Sequence, residues 1–178
     1  MMVVFANVAQ WDCQAMIWVR GTRRPVVTLF LKGVTYSGTA RAWAVASVLL
    51  WILSVKGVDV LPQQALFLGT MRIGFVAYVL GYLLKRIFGR TRPFDSIADF
   101  VPLVSAPHGD SFPSSHASTS VGLFVGLLLV AHPFAPLVGV WAILVSYSRF
   151  YLGVHFPSDI LGGAVFGVLC ALIAHPFF

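Results

Sequence analysis

Five long apolar runs, separated by short polar connections, constrain the fold of this chain more than any other feature of its sequence. A helix that crosses a lipid bilayer needs roughly 20 mostly apolar residues, and each run approaches or reaches that length with its flanks. In chain order the runs are Ala42–Val55, Leu61–Leu84, Ala117–Ala135, Pro136–Tyr151 and Ile160–Phe178. We therefore predict an all-α fold, a polytopic transmembrane helix bundle.

The composition supports a membrane environment. Of the 178 residues, 58% are hydrophobic and 10% are charged, whereas a soluble domain carries about 25% charged residues. The formal net charge of +6 suits membrane lipids with anionic or phosphorylated headgroups, so no nucleic acid partner is predicted. Cys13 and Cys170 lie in apolar runs, and we interpret them as packing residues rather than a disulfide or a metal pair.

The N-terminal region, residues 1–40, is ambiguous. Val3–Val19 is apolar, but polar residues recur in it at spacings of three and four, namely Asn7, Gln10 and Gln14. That pattern predicts a helix with one polar face, which either lies in the membrane interface or packs against the bundle. Pro25–Leu31 starts with a proline, which is favoured in a first helical turn, and is predicted as a second short interfacial helix. The five spans plus one N-terminal apolar or interfacial helix predict a bundle of about six helices in a single domain over residues 1–178.

Two glycine pairs predict where membrane helices approach each other. Gly122 and Gly126, and likewise Gly163 and Gly167, have the small-xxx-small spacing that permits close contact between helices. We interpret both pairs as packing seams.

Three short polar islands belong together as a candidate site. Between them the islands hold one Lys, four Arg, two His and one Asp, and they span Lys85–Pro93, Pro113–His116 and Ser148–Asp159. Each island lies at the end of an apolar run. Because successive runs cross the membrane in opposite directions, all three islands are predicted to converge on one membrane face. Two imidazoles, several permanent cations and a carboxylate suit in-line phosphoryl transfer without a metal or other cofactor.

The third island carries the predicted nucleophile. His155 and Asp159 are four residues apart and share one face of a helix, whose first turn is favoured by Pro157. A carboxylate bonded to one imidazole nitrogen fixes the tautomer and leaves the other nitrogen free to attack. We assign His155 as the nucleophile and Asp159 as its orienting partner.

The second island is predicted to bind the phosphate and to protonate the leaving group. Ser114 and Ser115 precede an apolar helix, where a serine caps the helix and free backbone N–H groups attract anions. His116 would lie within reach of the leaving oxygen and act as the general acid.

The cations of the islands fall into two groups. Lys85, Arg92 and Arg149 are predicted to stabilise the phosphoryl group during transfer. Arg86 and Arg90 are interpreted as interfacial anchors, with a second phosphate or a headgroup as the alternative ligand.

The three islands resemble the signature of the type 2 phosphatidic acid phosphatase superfamily, the lipid phosphate phosphatases, whose pattern is K-x6-RP, PSGH and SR-x5-H-x3-D. Lys85 with Arg92-Pro93 matches the first part, and Ser148-Arg149 with His155 and Asp159 matches the third. In the second part Ser115 replaces the usual glycine. The resemblance covers residues 85–159, the catalytic segment, and not residues 1–40.

The resemblance implies a compact bundle of about six helices and metal-independent dephosphorylation of a lipid phosphate through phosphohistidine. It implies the roles already given for the three catalytic residues, and phosphate binding by Lys85, Arg92, Ser114, Ser115 and Arg149. Undecaprenyl diphosphate and phosphatidylglycerol phosphate are the substrates we favour. Lipid A dephosphorylation and phosphoryl transfer to another acceptor remain alternatives, and a non-enzymatic lipid-binding or transport protein is a remote one.

The resemblance also implies an integral multi-pass protein of the bacterial inner membrane. The basic residues between positions 20 and 41 favour a cytoplasmic active-site face by the positive-inside rule. Family members that act on undecaprenyl diphosphate or lipid A work at the periplasmic face, and we favour that orientation. The oligomeric state is not predicted.

Overall fold

The structure, a computed structural model, describes residues 2–55 and 63–175. The start of the predicted run at Leu61 and the end of the predicted run at Phe178 lie outside the described residues. The described part is helical and contains no strand, which confirms the all-α prediction. Its helices are α1 (Met2–Gly21), α2 (Pro25–Ser37), α3 (Ala40–Val55), α4 (Gln63–Phe88), α5 (Pro93–Ser96), α6 (Ser115–Leu129), α7 (Ala135–Tyr151) and α8 (Pro157–Ala174).

Several helix ends differ from the hydropathy boundaries, because capping rather than hydropathy ends a helix. α4 continues one turn past Leu84 and ends at Phe88. The next residue, Gly89, has a positive φ of 53° and donates its N–H to the Lys85 carbonyl. Lys85 therefore lies on the last turn of a helix. α6 ends at Leu129, six residues before the predicted Ala135, and the chain turns at Ala131, which has a φ of 50°.

The two glycine pairs predicted as packing seams lie on α6 and α8, and three of the four glycines allow these helices to approach each other closely. A Cβ on Gly163 would come within 2.6 Å of the Ser114 carbonyl oxygen, and one on Gly122 within 3.1 Å of the Gly167 carbonyl oxygen. A Cβ on Gly167 would collide with the Ser118 carbonyl oxygen. This close approach lets the Ser114 N–H donate to the Asp159 carbonyl oxygen at 3.1 Å, so the seam joins the second and third islands.

The N-terminal helices cover the same end of the molecule. Met16 and Val19 of α1 and Leu31 of α2 are buried in one cluster with Phe100 and Leu152. Two neighbouring arginines bond to the loop that contains Phe100: Arg20 donates to the Asp99 carbonyl and Arg23 to the Val101 carbonyl.

Apolar stripes face outward on the long helices. On α8 the exposed residues are Leu161, Val165, Leu169 and Leu172, and on α7 they are Leu137, Val140 and Ile143. Such stripes need an apolar environment rather than water. Among the described residues α8 is long and apolar enough to cross a membrane by itself, and α6 is a shorter apolar helix. The number of spans therefore stays a prediction.

Candidate active site

The turn between α7 and α8 delivers His155 to the interior. Gly153 has a φ of +83°, and a Cβ there would lie 2.7 Å from the Phe100 ring, so this tight turn requires glycine. α8 then begins at Pro157, and Asp159 Oδ2 caps it by accepting the Phe156 N–H at 2.8 Å. His155 is 3% exposed and Asp159 is fully buried.

A serine lies between the imidazole and the carboxylate. His155 Nδ1 is 3.7 Å from Asp159 Oδ2, which exceeds hydrogen-bonding distance. Ser111 Oγ donates to Asp159 Oδ2 at 2.5 Å and lies 3.3 Å from His155 Nδ1. The predicted pair is thus connected in the structure as His155–Ser111–Asp159.

The hydrogen bonds define which imidazole nitrogen is free to react. Arg92 Nη1 lies 3.3 Å from His155 Nε2, and because a guanidinium only donates, Nε2 must be the unprotonated nitrogen. The proton then resides on Nδ1, facing the Ser111 oxygen. Burial lowers the pKa of His155 to about 3, with the positive charges of Arg149 and Arg92 adding to the effect and Asp159 opposing it. The ring is therefore neutral at physiological pH.

Two cations of the first island hold the loop that carries Ser111. Lys85 Nζ donates to the carbonyls of Asp110 and Ser111 at 2.8 and 3.4 Å. Arg92 donates through Nε to Gly109 at 2.8 Å and through Nη2 to Asp110 at 3.3 Å. Its Nη1 also bonds the Val154 carbonyl at 2.9 Å. Burial lowers the pKa of Arg92, although a guanidinium keeps its charge in proteins.

Several polar atoms near His155 are buried and have no hydrogen-bond partner among the described residues. They are Ser114 Oγ at the start of α6, His116 Nε2 on its first turn and Arg149 Nε at the end of α7. Arg149 Nη1 donates to Thr35 Oγ1 of α2 at 2.7 Å. Buried polar groups are normally satisfied, so this cluster of unsatisfied atoms has unused capacity for an oxyanion.

Two residues predicted for the site lie at its edge. Ser115 begins α6 and is exposed. Arg86 is exposed on α4, where it donates to the Tyr82 hydroxyl at 3.0 Å and stacks over the Tyr82 ring. The arrangement of Arg86 is that of an interfacial cation with its stem on an aromatic ring.

Arg90 lies between two buried carboxylates. Its Nη1 is 2.7 Å from Asp159 Oδ1 and its Nη2 is 2.5 Å from Asp12 Oδ2. Nη1 also donates to Ser158 Oγ at 2.6 Å. The two carboxylates already occupy both terminal nitrogens of the guanidinium.

The structure adds three residues that sequence reasoning missed, Asp12, Thr35 and Ser111. Asp12 had a detectable signal, since it is an isolated acid in the middle of an apolar helix. Ser111 and Thr35 had none, because a lone hydroxyl residue is common in loops and helices alike.

Comparison with known proteins identifies the family of this chain. A family model described as the PAP2 superfamily matches residues 64–178. Phosphatidylglycerophosphatase B of Bacillus subtilis is 30% identical over 168 residues, which cover 87% of this chain and 77% of that protein. The chain belongs to the PAP2 superfamily.

Further relatives match over shorter segments. The chain is 35% identical over 104 residues to lipid A 4'-phosphatase of Bacteroides thetaiotaomicron and 39% identical over 100 residues to undecaprenyl-diphosphatase of Sulfolobus acidocaldarius. These alignments cover 54% and 55% of this chain but 46% and 48% of the relatives. The chain thus matches about half the length of these curated relatives.

A solved structure extends the likeness to almost the whole fold. It is a transmembrane PAP2-type phosphatidylglycerolphosphate phosphatase from Bacillus subtilis, 28% identical, with a TM-score of 0.79. The superposition covers 96% of this chain and 86% of that one. With the outward apolar stripes, this likeness identifies a membrane protein.

Proposed function

We propose that this protein is a metal-independent lipid phosphate or diphosphate phosphatase that works through a phosphohistidine on His155. The observation that carries the proposal is the buried, neutral His155 with an unprotonated Nε2, which lies near three polar atoms that have no hydrogen-bond partner among the described residues. Those atoms belong to Ser114, His116 and Arg149. Permanent cations fixed in a water-poor site stabilise a phosphoryl group in transfer.

The first chemical step forms the covalent intermediate. His155 Nε2 attacks phosphorus in line, and the bond from phosphorus to the leaving oxygen breaks. His116 gives its proton to that oxygen, so a lipid alcohol leaves as a neutral molecule and a lipid monophosphate leaves with that oxygen protonated. Arg92 and Arg149 bind the non-bridging oxygens, and Arg92 Nη1 moves its hydrogen bond from Nε2 to a phosphate oxygen.

The second step regenerates the enzyme. A water molecule attacks the phosphohistidine, His116 takes up its proton, and the bond between phosphorus and Nε2 breaks to release inorganic phosphate. Through both steps the His155 Nδ1 proton stays on the Ser111–Asp159 side, where the buried carboxylate stabilises the positive charge that develops on the ring.

For the substrate we propose an isoprenyl diphosphate or phosphatidylglycerol phosphate. The names of the Sulfolobus acidocaldarius and Bacillus subtilis relatives support these two classes, and that of the Bacteroides thetaiotaomicron relative supports lipid A as the alternative. All three classes present a phosphate at the end of a long apolar tail, and an active site at one end of an apolar bundle suits such a molecule.

For the location we propose a bacterial inner membrane, with five spans and the site at the periplasmic face. Ser115→Cys offers a test, because Ser115 is exposed at the active-site end whereas Cys170 is buried. A membrane-impermeant maleimide is added to intact cells that carry Ser115→Cys in a Cys13→Ser background. It should label this protein more than it labels the Cys13→Ser protein alone. Labelling only after cell lysis would place the site at the cytoplasmic face.

The function is tested by phosphate release from a panel of lipids in detergent with EDTA present, comparing wild type with His155→Ala. We expect metal-independent release by wild type, its loss in the variant, and a phosphoenzyme that is trapped by alkaline quenching only when His155 is present. Release that requires an added metal ion, or that survives loss of His155, would contradict the proposal. A new phosphorylated lipid without free phosphate would indicate transfer instead.

A further inference from the structure

A carboxylate on the first helix is connected to the candidate catalytic carboxylate through Arg90. Asp12 is fully buried in the middle of α1. Its Oδ2 lies 2.5 Å from Arg90 Nη2, and Arg90 Nη1 lies 2.7 Å from Asp159 Oδ1. The guanidinium therefore spans two carboxylates that come from opposite ends of the chain.

The other contacts of Asp12 reach the first turn of α8. Asp12 Oδ1 accepts the Ser158 N–H at 3.1 Å, and Oδ2 accepts the Ser158 hydroxyl. Ser158 precedes Asp159 directly, so Asp12 holds the start of the helix that carries the orienting carboxylate. These bonds also complement the unpaired N–H groups at a helix start.

The Arg90 guanidinium is held by an aromatic ring against its plane as well as by hydrogen bonds from its terminal nitrogens. Its Cζ lies 4.6 Å from the centroid of the Phe156 ring, and Phe156 is adjacent to His155. A planar guanidinium that is stacked on a ring and bonded at both ends has a defined orientation. Asp159 Oδ1 therefore receives its hydrogen bond from a fixed direction, while Oδ2 is held by Ser111 and the Phe156 N–H.

We propose that Asp12 and Arg90 are positioning residues, which hold the Asp159 carboxylate in the orientation that aligns His155 through Ser111. The inference rests on the proposed function and deepens it by assigning α1 a part in catalysis. It gives Arg90 a different role from the second-phosphate ligand considered from sequence. Each charge also needs the others, because a buried carboxylate without a cation is strongly disfavoured.

The experiment measures kcat and KM separately, with a short-chain phosphatidylglycerol phosphate in detergent. The variants are Asp12→Asn, Arg90→Gln, Arg90→Lys and the double variant of the first two. Arg86→Gln is the matched control for a nearby exposed cation, and Gln14→Ala is the control for an exposed residue of α1. The double variant removes both charges together, so neither an unpaired Asp12 carboxylate nor an Arg90 guanidinium without Asp12 remains. Its kinetics can therefore still be measured if a single variant does not fold.

We expect kcat to fall about 10- to 100-fold in Asp12→Asn and Arg90→Gln, since small misplacements of reacting groups cost that much, while KM stays within about twofold. Arg90→Lys should recover part of kcat, because it keeps the charge without the planar fork. The double variant should lose no more than the worse single variant, as expected for residues that act as one unit.

Three results would overturn the positioning role: kcat values equal to those of the two controls, additive losses in the double variant, or a rise in KM alone for Arg90→Gln. The last would instead make Arg90 a substrate ligand. Absence of turnover in the wild type would overturn the proposed function itself, and the positioning role with it.

Discussion

The segment from Lys85 to Asp159 and the two N-terminal helices contribute to one site in different ways. The motif-bearing segment supplies the groups that would touch a phosphate. The N-terminal helices supply one acceptor each, Asp12 to Arg90 and Thr35 to Arg149. Both acceptors contact an arginine and neither contacts His155 in the described structure. The comparison shows that two arginines of the motif-bearing segment receive acceptors from helices outside it, in addition to the contacts within that segment.

The largest expected effect comes from a substitution in the motif-bearing segment. Asp159→Asn should lower kcat by about 10³- to 10⁴-fold, the scale found when a carboxylate that orients a histidine becomes an amide. One end of the amide can accept hydrogen bonds but the other only donates, so it cannot serve Arg90, Ser111 and the Phe156 N–H together. Steady-state kinetics of the purified variant measure the loss. Near-wild-type turnover would contradict the role of Asp159.

A smaller effect is expected at the serine between His155 and Asp159. Ser111→Ala removes the only hydroxyl that contacts both side chains in the described residues, and we expect kcat/KM to fall about 10- to 100-fold, as for other groups that orient a reactive ligand. Ser105→Ala, in the same loop but exposed, is the control. Equal activity of the two variants would mean that His155 and Asp159 interact without the serine.

The buried imidazole predicts how stability depends on pH. Because burial lowers the pKa of His155 from 6.5 to about 3, the unfolded chain binds a proton there between these pH values and the folded protein does not. The titration of His155 therefore does not change stability above pH 6.5. By pH 5 it lowers the free energy of unfolding by about 2 kcal/mol.

Thermal unfolding in detergent at pH 7 and pH 5 measures this loss. His155→Asn should be less sensitive to the change in pH than wild type, whereas His108→Gln, at an exposed position, should behave as wild type. An equal loss of stability in His155→Asn and wild type would show that other groups cause it.

The smallest expected effect comes from a substitution in α2, one of the two N-terminal helices. Thr35→Val keeps the side-chain shape but leaves Arg149 Nη1 without its acceptor, a change worth about 1.5–3 kcal/mol for a hydrogen bond to a charged group. If Arg149 binds the phosphate, KM should rise about tenfold with little change in kcat, and Thr35→Ser should restore it. A fall in kcat at constant KM would assign Thr35 to the alignment of His155 instead.

Much of this site was predictable because its signals are local. Pro157 and Asp159 mark the start of α8, and the four-residue spacing to His155 places both groups at one helix end. The alternation of helix directions brings the islands together without knowledge of any contact. The glycine spacing likewise marked the seam on which Ser114 meets Asp159.

Two interpretations of individual side chains depended on distances that spacing does not contain. The four-residue spacing suggested a direct bond between His155 and Asp159, whereas the nitrogen and oxygen are 3.7 Å apart and Ser111 lies between them. Arg86 and Arg90 looked equivalent in sequence. In the structure one is exposed on Tyr82, and the other is held by Asp12 and Asp159.

The sequence by itself determined the helical, lipid-facing character of the chain and the membership of the three islands in one site. Those features depend on the length of apolar runs and on spacing along a helix, which are properties of the chain alone. Only the tertiary structure decided which partners neutralise each buried charge. A carboxylate at position 12 and an arginine at position 90 meet only because α1 packs over the start of α8, and no local pattern records that contact.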